Sequence, residues 1–264
     1  MESAELTKFL EGVGNAIHSI NTIAVALALL PKEGEVEVPQ ELNISWNPSN
    51  IQNSKIMSRR FAEKSAYVYA AENLFVYLDN ISKNPFWIYE DINFGSDTKK
   101  AERVKNFLSE IPGITKSQTI LCELLCHWRN RIVHFATSKA RLSSNNRQYL
   151  VSKKDHIYDK YHHFNVDMAL DNFKNGKITL KDTSTLITIT IICARKVDEY
   201  FHKGHERITN INDIRGMLLD NSNFSNIYKQ QQSKKRERQS KKWIELNFPY
   251  LSDEIKNNLF SKQT

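Results

Sequence analysis

The chain has 264 residues, of which 25% are charged and 40% hydrophobic. That balance can bury a sizeable core without disulfides or metals. Three cysteines, Cys122, Cys126 and Cys193, form no framework spacing and fit a reducing compartment rather than a disulfide scaffold. Net charge is +7, but residues 229–242 hold seven basic side chains and one acid, which is +6, leaving about +1 for everything else. The basicity is therefore local, and such a segment either binds phosphate charge or forms a solvated surface helix.

Only 8 glycines and 6 prolines punctuate the chain, which favours long helices over many short strands. The N-terminus lacks a positive region followed by an apolar run, so no secretory signal is expected. The apolar parts of "AVALALLP" and "LITITIICA" are too short to cross a bilayer. A soluble, cytoplasmic protein with no membrane contact is expected.

In chain order, Leu6, Phe9, Leu10, Val13, Ile17 and Ile20 recur at helical spacing and predict a first helix over 5–30, closed by Pro31. A long connection follows over 31–54, with extended pieces expected near "EVEV" and "NISW". An aromatic-rich helix is expected over about 55–82, a loop over 83–98, and a helix over 99–110 stopped by "IPG". Ser117 is the expected cap of the next helix, which runs to about 137. Residues 138–154 read as loop, and 155–175 as one or two short helices. Residues 187–192 are all β-branched, which favours a strand. Yet Ile189, Cys193, Val197 and Phe201 step by four, and a helix is expected over 179–203. Short helices around the basic segment complete the chain over 212–262. The class is all-α, a helical bundle with extra N- and C-terminal helices. Three parts are expected: 1–54, 55–205 and 206–264.

The helix at 117–137 carries an anomaly. Ile120, Leu121, Leu124, Leu125, Trp128, Ile132 and Phe135 make it apolar, yet "RNRIVH" places Arg129, Asn130, Arg131 and His134 at its end. Asn130 and His134 share a face. Arg129 and His134 lie five apart, about 140° around the axis, so a direct bond along one straight helix is awkward. Either the arginine reaches round, the helix end distorts, or two copies of the helix meet across a dimer.

An arginine, then asparagine, then histidine five residues beyond the arginine resembles the HEPN superfamily, the helical-bundle domains of many prokaryotic toxins and antiviral ribonucleases. The helix "YVYAAENLFVYL" is similar to the aromatic-rich helix of several branches, with an acid where Glu72 stands. The resemblance covers about residues 55–203. It implies a HEPN-type bundle, usually dimeric with two motifs facing one cleft, and metal-independent RNA cleavage in a toxin or antiphage-defence effector, with an antitoxin or defence-system partner. In branches controlled by AMP transfer a tyrosine stands two residues after the histidine; here it is Ala136, so that control is not expected.

The residue types suit the chemistry. Imidazole exchanges protons near neutral pH, so His134 is the candidate acid–base. Arg129 stays cationic and can grip phosphate oxygens. Asn130 is placed to orient phosphate or imidazole, and Glu72 to hold Arg129 or His134. The ribose 2′-hydroxyl would attack, giving 2′,3′-cyclic phosphate and 5′-hydroxyl ends with no cofactor. A non-catalytic HEPN module binding RNA or a partner protein is the alternative.

Lys234, Lys235, Arg236, Arg238, Lys241 and Lys242, beside Trp243, are candidate RNA contacts by charge and stacking. Cys122, Cys126 and His127 lack a second ligand pair, so core burial is expected rather than a metal site. Asp155, His156, Asp159, His162 and His163 read as a solvated helix face. His202 and His205 suit the negative end of a helix dipole. No phosphate-binding glycine loop is present.

Overall fold

A computed structural model describes residues 2–32, 34, 36–82, 92, 94–95, 99–134, 141–205, 210–248 and 253–260. All regular structure among them is helical, so the all-α class holds. The α-helices are α1 (Ala4–Leu29), α2 (Ile51–Ser82), α3 (Lys100–Glu110), α4 (Lys116–Val133), α5 (Ser144–Ser152) and α6 (Lys154–Lys160). They continue with α7 (Val166–Asn175), α8 (Leu180–His205), α9 (Ile211–Asp220), α10 (Ser222–Tyr228), α11 (Ser233–Asn247) and α12 (Asp253–Phe260). The expected extended pieces near "EVEV" and "NISW" form no strand among the described residues. A single 3₁₀ turn at Gln40–Leu42 is the only regular element described there. The expected loop at 83–98 lies mostly outside the described residues, as do Phe135 and Ala136.

The chain forms two compact units that do not follow chain order. One comprises 1–10, 74–119 and 190–264. In it Phe9 lies 5.3 Å from Tyr77, and Tyr77 donates its hydroxyl to the Ala194 carbonyl at 2.9 Å. Phe107 stacks on Phe201 at 6.1 Å. The Ser3 backbone N–H donates to the buried Asp198 carboxylate at 3.1 Å. Thr115, not Ser117, caps α4. Its hydroxyl accepts from the Gln118 N–H at 3.3 Å while the Gln118 side chain accepts from the Thr115 N–H at 3.0 Å, a reciprocal capping box. Ser117 sits inside the first turn and is buried.

The other unit comprises 11–73 and 120–189. Here α1 and α2 run antiparallel: Lys55 Nζ donates to the Leu30 carbonyl at 2.9 Å, and Gly12 faces Asn73. A β-carbon at Gly12 would stand 2.5 Å from Asn73 Oδ1, so glycine permits the close approach. Trp128 is buried between Tyr67, at 5.5 Å, and the edge-on ring of Phe173, at 5.0 Å. Residues 144–152, expected as loop, are helix α5: Ser143 accepts from the Asn146 N–H at 3.2 Å, and Leu150 alone anchors it in the core.

The β-branched run in α8 is helical because packing overrides propensity. Ile187 and Ile189 are buried, and the Thr183 and Thr188 hydroxyls return to the carbonyls of Thr179 and Ser184 at 2.8 and 2.9 Å. In α1, Val25 and Leu29 are 61% and 81% exposed. Among the described residues α1 is the helix long and apolar enough, by length and composition, to cross a membrane. The segment "AVALALLP" is too short to cross a bilayer by itself, whereas the whole of α1 is long enough.

Candidate active site

The cluster is built where α2 meets the end of α4 within one unit. Glu72 lies well inside α2, Asn130 in the last turn of α4 and Arg129 just before it. The α4 segment is fixed in rotation because Leu121, Leu124, Leu125 and Trp128 are all buried. That leaves the polar residues at its end half-buried, with His134 exposed. The helix hydrogen bond persists to the last residue: the His134 N–H donates to the Asn130 carbonyl at 2.9 Å.

Arg129 is the hub. Its Nη2 lies 2.5 Å from Glu72 Oε1, with side chains 15% and 38% exposed. Its Nη1 donates to Asn130 Oδ1 at 3.1 Å and lies 3.3 Å from His134 Nε2. The 140° gap between Arg129 and His134 is thus bridged by the length of the arginine within one chain, and the helix end needs no distortion. Arginine has no acceptor, so this last contact is a hydrogen bond when His134 Nε2 carries no proton. Four residues, Glu72, Arg129, Asn130 and His134, come together as the sequence reading grouped them. Arg131 points elsewhere: it donates to the Phe173 carbonyl and stacks 4.9 Å over that ring.

A polar group beside the cluster was not anticipated in this role. Glu123, His127, Asn130 and His134 follow i, i+4, i+7, i+11 spacing, which puts them on one helix face. His127 Nε2 lies 3.5 Å from Glu123 Oε1, and Asn146 Nδ2 donates to Glu123 Oε2 at 2.8 Å. The available signal is that spacing, whereas the sequence reading groups His127 with Cys122 and Cys126. Cys122 and Cys126 are fully buried, and burial pushes the Cys126 thiol well above its usual range. Among the described residues no group of three His, Cys, Asp or Glu side chains is placed to hold a metal ion. Asp155, His156, Asp159, His162 and His163 are exposed. The side chains of His202 and His205 lie outside the described residues.

The basic segment folds as α11, in the other unit. Lys235, Arg238 and Lys242, at i, i+3, i+7, share a face and are exposed, as is Lys234. Arg236 is half-buried and lies 5.5 Å from the Tyr228 ring centroid. Lys241 sits 3.4 Å from Glu237. Trp243, expected to offer a stacking face, is half-buried and packs against Phe224 at 5.2 Å and Phe248 at 5.5 Å. No protein-family model, curated protein or solved structure matches the chain.

Proposed function

We propose that the protein is a metal-independent endoribonuclease of HEPN type that acts as a toxin or antiphage-defence effector in the cytoplasm. The observation that carries this reading is the contact set around Arg129, which joins a carboxylate, an amide and an exposed imidazole at one helix end. In the reaction the Arg129 guanidinium turns to the phosphate, and His134 Nε2, released from it, accepts the proton of the ribose 2′-hydroxyl as that oxygen attacks the adjacent phosphorus. The bond from phosphorus to the 5′-oxygen breaks, and that oxygen takes a proton from water. Arg129 stabilises the charge that builds on the non-bridging oxygens, Glu72 fixes the guanidinium, and Asn130 holds it from the other side. Two copies would present two such clusters to one cleft, and a partner protein would restrain the activity. The exposed face of α11 would add charge-based grip on RNA.

The test is incubation with mixed RNA and with single-stranded DNA in EDTA, followed by end-group analysis. RNA cut to 2′,3′-cyclic phosphate and 5′-hydroxyl ends, with DNA spared, is expected. Cleavage of DNA, or dependence on added metal, would reject the reading. The non-catalytic alternative draws on one observation: both outer nitrogens of Arg129 are already engaged and its side chain is only 15% exposed. An RNA-binding protein that cuts nothing would favour it.

A further inference from the structure

One face of α2 leads into the Glu72 cluster and is left uncovered. At 100° per residue, Phe61, Ser65, Val68 and Glu72 fall within about 60° of one another, with Tyr69 about 60° beyond Glu72. The opposite face, Ala62, Glu63, Ala66, Tyr67 and Ala70, is buried. Phe61 is 73% exposed and Tyr69 50%. Phe61 lies about 16 Å along the axis from Glu72, and Tyr69 about 4.5 Å. Two flat rings therefore flank the approach to the cluster. From Lys55 to Glu72 the helix carries Lys55, Arg59, Arg60 and Lys64 against Glu63 and Glu72, a net +2, and of these cations Arg60 and Lys64 lie beside the stripe, about 100° and 60° from Phe61. Glu63 is buried and already paired with Arg59 at 3.0 Å.

We propose that this α2 stripe is a binding track for single-stranded RNA, in which Phe61 and Tyr69 stack on bases and Arg60 and Lys64 beside them attract the backbone. The inference rests on the ribonuclease reading of the same cluster and names the form of substrate that reaches it. Aromatic faces take any base, so the track gives grip without sequence readout. It continues directly into Glu72, which gives the stripe one consistent direction: substrate enters along α2 and meets Arg129 and His134 at its end. A second copy of the chain seated here would have to bring the same cations against one another, which disfavours that occupant.

The test uses full-length protein carrying His134→Ala, so that RNA binding is measured without cleavage. Anisotropy of a labelled single-stranded 12-mer is compared with and without Phe61→Ala, Phe61→Leu, Phe61→Trp and Phe61→Ala/Tyr69→Ala. Stacking on one ring is expected to be worth about fivefold or more in affinity, and both rings together about thirtyfold. Phe61→Leu should bind as weakly as Phe61→Ala, and Phe61→Trp should restore binding. Equal affinity for all variants would overturn the track while leaving the nuclease reading to its own cleavage assay. Leucine binding as well as phenylalanine would also overturn it, since bulk rather than a ring would then suffice. A shift in sedimenting mass caused by Phe61→Ala would assign the stripe to a second copy instead. Absence of RNA binding by the parent protein, with no cleavage by the wild type, would remove both proposals.

Discussion

Removing the charge of Glu72 isolates what the ion pair with Arg129 contributes. At about 4 Å and an effective dielectric of about 20, two unit charges attract by roughly 4 kcal/mol. Desolvation and screening cut this heavily for a pair whose carboxylate is 38% exposed, to about 1 kcal/mol net. Glu72→Gln keeps the shape, so the unfolding free energy should fall by about that amount. For a chain of this size that is about 2–4 °C in Tm. The loss should shrink in about 1 M salt, where the Debye length is near 3 Å. Cleavage should slow by at most about tenfold, because Asn130 Oδ1 still holds Arg129 from the other side. A double-mutant cycle of Glu72→Gln with Arg129→Gln, read by denaturant unfolding at low and high salt, measures the coupling directly. A coupling energy of zero, or one indifferent to salt, would refute the pairing as the device that fixes Arg129.

Three other outcomes are expected. Trp128→Ala removes the ring packed between Tyr67 and Phe173 and should cost about 3–5 kcal/mol in urea unfolding. A cost below about 1 kcal/mol would contradict its place in the core. Burial raises the Glu63 carboxyl above its ordinary value near 4.5, with Arg59 opposing. Its contribution to stability is therefore full below about pH 4.5 and is lost as pH rises through the raised value. Thermal unfolding of Glu63→Gln across pH 4–8 should lack that decline; a profile parallel to wild type would show Glu63 is not its source. Finally, reversing Lys235, Arg238 and Lys242 to Glu should weaken RNA binding similarly for all sequences and flatten its salt dependence. An unchanged salt slope would make α11 a solvated helix.

Elements that bury a repeating apolar face were legible in the sequence. The first helix, expected over 5–30, is Ala4–Leu29, and the aromatic one expected from 55 begins only four residues earlier, at Ile51. Helix α5 was not legible, because "SNNRQYLVS" carries one core anchor, Leu150, and owes its start to the Ser143 cap. The cap of α4 was misplaced by two residues, since Thr115 and Ser117 are both good caps and only Thr115 has Gln118 at the reciprocal position. At the cluster, Asn130 and His134 followed from helix spacing. Glu72 followed only from resemblance: it is 57 positions from Arg129, and no local pattern encodes that contact. The Arg129–His134 contact looked awkward on angle alone, because the reach of a guanidinium offsets about 140° of rotation. Trp243, beside the cations of α11, is half-buried and packs on Phe224 and Phe248, contacts that the charge pattern around it does not encode.

The central claim turns on His134. It is exposed at the end of α4, so His134→Ala should leave the fold intact while removing the proton acceptor. Single-turnover cleavage of RNA by wild type and His134→Ala, both in EDTA and matched by circular dichroism, measures its role. General acid–base catalysis predicts a rate lower by about 10²–10⁴-fold in the variant, with RNA affinity unchanged. Equal rates from the two proteins would contradict the claim and place any nuclease activity elsewhere in the molecule.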